Sequence, residues 1–125
     1  MFAGLFERYR LHAREARFVR LALLLSLGLN LLTWTLALWF VLPRLKTSPF
    51  FALHYTVYFG VDRIGPPWGL LRMPLLGLAL LVVNVIVAVR LYRNERLASA
   101  FFMAMTLLLE FLVLILTFLS ILLNL

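Results

Sequence analysis

Apolar residues occupy three long stretches of this chain, and each stretch is long enough to form a helix that crosses a membrane. The first, Leu21 to Leu42, contains 22 residues without a charge. A helix rises about 1.5 Å per residue, so it needs about 20 residues to cross a hydrocarbon core of about 30 Å. We therefore predict an all-α membrane fold in a single domain, with transmembrane helices over residues 20–42, 68–92 and 97–123.

The composition places the chain in the same class. Hydrophobic residues make up 65% of the 125 residues, charged residues make up 14%, and the mean hydropathy is +1.04, which is unusual for a soluble domain. Cysteine is absent from the sequence, which excludes disulfides and thiolate metal sites. The net charge of +7 comes from basic residues at the ends of apolar stretches, which favours contact with anionic lipid over nucleic acid.

The distribution of basic residues predicts the direction of the spans. Eight arginines lie before the first span or between the second and third, whereas Arg44, Lys46 and Arg63 are the three basic residues between the first and second. Short cytoplasmic loops of multi-pass proteins carry the excess of Lys and Arg. We therefore expect a multi-pass protein of the bacterial inner (plasma) membrane with a cytoplasmic N-terminus and an extracytoplasmic C-terminus.

Residues 1–19 have a helical pattern of their own. Phe2, Leu5, Phe6 and Tyr9 repeat at helical spacing, and basic residues repeat on a different face. We predict an interfacial amphipathic helix that lies on the inner leaflet before the chain turns into the first span. Its basic face is expected to contact lipid headgroups, and the alternative is a docking site for an acidic partner. The residues of this face are Arg10, Arg14 and Arg17.

The segment 43–67 has a different periodicity, which predicts a short extracytoplasmic β segment. Apolar and polar residues alternate from Leu53 to Asp62, and many are β-branched or aromatic. A lone strand leaves backbone groups unpaired, so we expect it to pair with residues near 43–46 or with the same strand of another subunit. The predicted strand and oligomer contacts are Leu53, His54, Tyr55, Val57, Tyr58, Phe59 and Asp62.

Three of these residues, His54, Tyr58 and Asp62, share one face of the predicted strand and invite comparison with a metal or catalytic cluster. Residues four apart on a strand are separated by about 13 Å, which is too far for one ion to bridge. We interpret them as a polar strand face, and we expect no metal, no cofactor and no catalytic residue.

The same segment carries a motif that resembles a known family. The run L-H-Y-x-x-Y-F-G-x-D-x-I-G-P, from Leu53 to Pro66, looks like a motif of small three-span bacterial membrane proteins. The later part of those proteins is similar to this chain at Pro74, Asn84, Leu91, Tyr92 and Glu95. The resemblance covers roughly residues 50–110. It implies a three-span architecture in a bacterial inner membrane and no activity, since none is assigned to that family.

Small and polar residues line one face of each predicted span. Such residues let helices approach closely and hydrogen-bond in lipid, so the stripes predict helix–helix contacts. In the third span they recur at alternating steps of four and three, which keeps them on one face. The stripes are Ser26, Asn30, Thr33 and Ala37 in the first span, Gly77, Asn84 and Ala88 in the second, and Ser99, Met103, Thr106, Glu110, Val113, Thr117, Ser120 and Asn124 in the third.

Glu110 differs from the other stripe residues because it carries a carboxyl group near the centre of the bilayer. A charge there costs several kcal/mol unless it is paired, hydrated or neutralised. We expect Glu110 to be protonated and to hydrogen-bond Asn30 or Asn84 on another helix, with Thr106 as a further intramembrane polar contact. The alternative is a proton- or cation-binding site at the centre of an oligomeric pore.

These features favour a non-enzymatic membrane protein over the other classes of function. The strand and the three stripes offer more contact surface than a three-helix monomer needs, so we expect the chain to self-assemble or to serve as an accessory subunit of a larger membrane complex. A small oligomeric ion channel or transporter that uses Glu110 is the alternative. A membrane enzyme is disfavoured, because the two histidines lie on opposite sides of the membrane and no nucleophile–base pair can be assembled.

Overall fold

Three helices account for most of the chain. The computed structural model describes residues 2–47, 50–56 and 60–125, and within them the side chains of residues 14–47, 50 and 65–125. The elements are helix α1 (Phe2–Val41), a 3-10 helix (Leu42–Arg44), strands β1 (Phe51–Thr56) and β2 (Gly60–Gly65), a second 3-10 helix (Pro67–Leu71), and helices α2 (Arg72–Tyr92) and α3 (Arg96–Leu123).

Three helical segments of the described chain are long and apolar enough to cross a membrane, which confirms the prediction of a three-span membrane protein. They are Arg14–Arg44, Pro67–Tyr92 and Arg96–Leu123. Large apolar side chains point outward along all three, including Leu31, Val83 and Phe101. Such a surface would be unfavourable in water, whereas lipid tails are as apolar as leucine. A bilayer is therefore the environment that this surface fits.

The first helix differs from its prediction. α1 is one uninterrupted helix of 40 residues, so the predicted turn between an interfacial helix and the first span is wrong. Residues 14–20 contain no glycine or proline that would end a helix. At about 1.5 Å per residue, α1 is about 60 Å long, about twice the thickness of a hydrocarbon core. Arg14 and Arg17 are exposed, and the side chain of Arg10 lies outside the described residues.

The segment between α1 and α2 also differs from its prediction. β1 pairs antiparallel with β2, from Phe51 opposite Gly65 to Thr56 opposite Gly60, with an irregular register near His54. The predicted single strand from Leu53 to Asp62 and its predicted partner near residues 43–46 are both wrong, because residues 60–65 return alongside 51–56. Outside the described residues lie Val57, Tyr58 and Phe59, and the side chains of Leu53, His54, Tyr55 and Asp62.

The third helix holds the bundle together. α3 packs along both of the other helices, whereas α1 and α2 contact each other much less. An apolar cluster lies at each end, where α1 and α3 pack against the second 3-10 helix at one end and against α2 at the other. At the end near β1 it contains Ala37, Phe40, Val41, Leu70 and Ile121, and at the opposite end it contains Ala22, Ala88 and Met103.

A tight connection joins α2 to α3. The backbone N–H of Glu95 donates to the carbonyl of Leu91 at 2.7 Å, and the N–H of Ser99 donates to the carbonyl of Glu95 at 3.0 Å. These bonds satisfy backbone groups that the helix ends would otherwise leave unpaired. The short connection makes α2 and α3 antiparallel neighbours, so α1 and α3 run in the same direction.

Candidate functional site

One face of α3 is buried along the whole helix. Its residues follow steps of three and four, which keeps them on one side: Ser99, Met103, Thr106, Glu110, Val113, Thr117 and Ile121. The last two residues of the predicted stripe, Ser120 and Asn124, are half-buried, and their side chains donate hydrogen bonds to carbonyls of the preceding turn. The buried face therefore ends at Ile121.

Matching faces of α1 and α2 turn toward α3. The buried residues of these faces include Ser26, Asn30, Thr33 and Ala37 on α1, and Pro74, Gly77, Leu81 and Ala88 on α2. Asn84 is half-buried. Small side chains allow the helix axes to come close in a medium that offers no hydrophobic drive for association. The polar stripes of the three helices are thus directed into the bundle.

Glu110 and Asn30 meet in the middle of the bundle. The amide Nδ2 of Asn30 donates to Oε2 of Glu110 at 3.0 Å, and their exposed fractions are 5% and 0%. The sequence left Asn30 and Asn84 as alternative partners, and the structure brings Asn30 to the carboxyl group. On α2 the residue level with Glu110 is Gly77, and Asn84 lies seven residues, about 10 Å, further along the helix.

Gly77 of α2 lies next to the Asn30–Glu110 pair. A Cβ atom added to Gly77 would lie 3.2 Å from Oε2 of Glu110, 3.3 Å from Nδ2 of Asn30 and 3.0 Å from Cγ1 of Val113. Contacts this short force neighbouring groups apart. Glycine at position 77 therefore lets α2 approach the Asn30–Glu110 hydrogen bond without displacing these side chains.

Three buried polar atoms lack a hydrogen-bond partner among the described residues: Oε1 of Glu110, Oγ of Ser26 and Oγ1 of Thr117. A buried polar atom without a partner costs about 1–3 kcal/mol. One oxygen of the Glu110 carboxyl group is thus anchored by Asn30, and the other retains the capacity to carry a proton or to accept a further hydrogen bond.

The buried hydroxyl groups divide into two kinds. Thr106 and Thr33 donate to the carbonyls of Phe102 and Leu29 in their own helices, at 2.7 and 2.8 Å, so Thr106 forms no hydrogen bond to another helix. Ser99 Oγ of α3 instead donates to the carbonyl of Ala88 in α2 at 2.7 Å. The sequence pattern places Ser99 and Gly77 on their stripes but predicts neither specific contact, because periodicity identifies a face and not the atom opposite it.

A groove lies between α1 and α2 at the end of the bundle where α2 connects to α3. We call it the inner-end groove, after the side of the membrane that the sequence predicts for this end. Its cavity volume is about 240 Å³. Its walls are Ala16, Val19, Arg20 and Leu23 of α1, Val85, Ala88, Val89 and Tyr92 of α2, and Ser99 and Met103 of α3. The groove follows from the sparse contact between α1 and α2.

The chemistry available at the bundle centre is limited to one carboxyl group and one amide. Among the residues that the structure describes, no three His, Asp or Glu side chains come together to hold a metal ion. A buried acid paired with an amide can stabilise a helix contact or exchange a proton.

Comparisons of this chain with protein-family models, curated proteins and solved structures find no match to any of them. The resemblance to small three-span bacterial membrane proteins therefore stays a prediction.

Proposed function

We propose that this chain is a non-enzymatic accessory subunit of a larger complex in a bacterial inner membrane. The three-helix bundle anchors the subunit, and the N-terminal part of α1 contacts the partner on the cytoplasmic side. The observation that carries the proposal is the unbroken α1, which continues for about 60 Å where a span needs about 30 Å.

The extension of α1 is basic in sequence and suits a partner contact. Arg8, Arg10, Arg14 and Arg17 lie on it or at its base, and Glu7 and Glu15 are its acids. A helix continuous with a transmembrane span holds these charges along the axis of the span, instead of spreading them over the inner leaflet. Such a helix can present a basic surface to an acidic protein partner, which the sequence had ranked below lipid contact.

Self-assembly is less well supported than an accessory role. Self-assembly was expected because a lone strand needs a partner and because three polar stripes offer more contact surface than a three-helix monomer needs. The three stripes contact one another inside one bundle, and β1 pairs with β2 of the same chain. Each of these features is explained by one copy of the chain.

Mass measurement of particles extracted directly into native nanodiscs tests the proposal. A complex whose mass exceeds the 14.4 kDa of this chain by the mass of a different protein is expected. Ala13→Pro, which breaks α1 where it leaves the bundle, should release that partner, whereas Ala3→Pro, in the first turn where proline is tolerated, should not. A particle containing one copy alone contradicts the proposal, and a multiple of 14.4 kDa favours self-assembly.

The orientation is tested separately by cysteine labelling, since the native chain has none. Lys46 and Asn94 are exposed at opposite ends of the bundle, so Lys46→Cys and Asn94→Cys each introduce one accessible thiol. An impermeant thiol reagent should label Cys at position 46 in intact cells and should reach position 94 only after the membrane is opened. The reverse result would place the extension of α1 outside the cell and exclude a cytoplasmic partner.

A proton- or cation-conducting role is the second candidate, and one observation favours it. Oε1 of Glu110 is buried and has no partner among the described residues. Reconstituted liposomes should then show a proton or monovalent cation flux that Glu110→Gln abolishes while the particle mass stays unchanged. If liposomes with and without the protein leak at the same rate, this candidate is excluded.

A further inference from the structure

The inner-end groove has apolar walls and a floor of small side chains. Ala16, Ala88 and Ser99 leave room between α1 and α2, and the Ser99 hydroxyl is occupied by its bond to the Ala88 carbonyl at 2.7 Å. Valine, leucine and methionine side chains complete the walls. The cavity of about 240 Å³ suits a segment of hydrocarbon chain better than water, because bound water needs two to four polar partners.

The mouth of the groove is positively charged. Arg20 lines it, and the guanidinium of Arg96 lies 5.2 Å from the ring centroid of Tyr92, which also lines it. Glu15 and Glu95 are the described acids at this end of the bundle, and Arg20 forms no salt bridge with any acid whose side chain the structure describes. The charge of Arg20 is therefore available to a ligand.

We infer that the inner-end groove binds one anionic phospholipid. One acyl chain lies between α1 and α2, and the phosphate is bound by Arg20 with the Tyr92 hydroxyl as a further donor. A guanidinium presents several N–H donors to a phosphate at once, and a phenol supplies one more. The apolar walls would contact the acyl chain, and the basic mouth would contact the phosphate. This is the same order in which a bilayer places the hydrocarbon and the headgroup of a lipid.

Other occupants match only part of this site. Inorganic phosphate would use the charge of Arg20 and leave the apolar walls without a ligand. A lipid with no net charge would fill the walls and gain less at the mouth. The site therefore selects for net negative charge together with an acyl chain, and it is independent of any protein partner of the α1 extension.

Native mass spectrometry of the whole chain in mild detergent tests this inference. Phosphatidylglycerol and phosphatidylcholine with identical acyl chains are added separately, and the bound lipids are counted as the detergent is stripped away. We expect one phosphatidylglycerol per chain to be retained at least about fivefold more than phosphatidylcholine, since one arginine near a membrane surface contributes about that factor. Equal retention of the two lipids would overturn the inference.

Two pairs of variants separate a built site from general attraction. Arg20→Gln should reduce phosphatidylglycerol retention about fivefold, whereas Arg93→Gln, exposed at the same end and outside the groove, should change it little. Ala16→Phe fills the groove and should exclude the acyl chain, whereas Leu24→Phe adds bulk on the lipid-facing side and should not. Equal effects within either pair, or displacement of the lipid by excess inorganic phosphate, would contradict the inference.

Discussion

The middle of the bundle and its inner end both depend on small residues of α2, but they are packed differently. In the middle, Gly77 lies so close to Asn30 and Glu110 that a single added carbon would touch both. At the inner end, Ala88 is also buried, and yet a cavity of about 240 Å³ lies beside it. α1 and α2 come close together around the Asn30–Glu110 hydrogen bond, whereas at the inner end an open cavity remains beside the cluster of Ala22, Ala88 and Met103. Small residues permit close packing, and the partner across the interface decides whether packing follows.

Close packing in the middle of the bundle is tested most directly by a substitution at Gly77. Gly77→Val places two methyl groups where one Cβ already lies 3.0 Å from Val113, so we expect a loss of about 3 kcal/mol in the free energy of unfolding. Titration with a denaturing detergent, followed by circular dichroism, measures it.

The matched control is Gly28→Val, because nothing lies within 4 Å of the Cβ position at Gly28. The two variants share the same change in helix propensity, so the difference between them isolates the steric effect. If Gly28→Val is as destabilising as Gly77→Val, close packing around Glu110 is not what holds the middle together.

The hydrogen bond in the middle is tested at Glu110. Glu110→Leu removes the acceptor of Asn30 Nδ2 and leaves the buried amide without a partner, so we expect a loss of about 2 kcal/mol. Glu110→Gln keeps an oxygen that can accept the same bond and should unfold close to the native chain. Equal losses in the two variants would mean that the charge of Glu110, and not its hydrogen bond, stabilises the bundle.

The smallest effect is expected at the inner end, where Ser99 links α3 to the carbonyl of Ala88 at 2.7 Å. Ser99→Ala should cost about 0.6 kcal/mol, the average of such bonds between helices in lipid. Thr106→Val serves as a control, because the Thr106 hydroxyl bonds its own helix. A loss at Ser99 as large as that of Glu110→Leu would show that the groove end contributes as much to stability as the middle.

Sequence patterns predicted the spans and the buried faces for a simple physical reason. Each span must satisfy its backbone internally, so its length and apolar character are visible in the sequence alone. The repeat of three and four residues places Ser99, Thr106, Glu110 and Thr117 on one helical face, and all four are buried in the bundle. The prediction was less accurate at the ends of elements, where α1 continues past residue 19 and the outer strand is divided in two.

The sequence by itself determined that three helices are long and apolar enough to cross a membrane and that each has one polar face, because helix length and periodicity are local properties. Tertiary structure decided which polar groups meet. Asn30 and not Asn84 bonds Glu110, Gly77 allows α2 to approach that pair, and the groove stays open beside Ala88. These outcomes depend on the relative depth and separation of helices that are far apart in sequence, and such distances are set by packing between the helices.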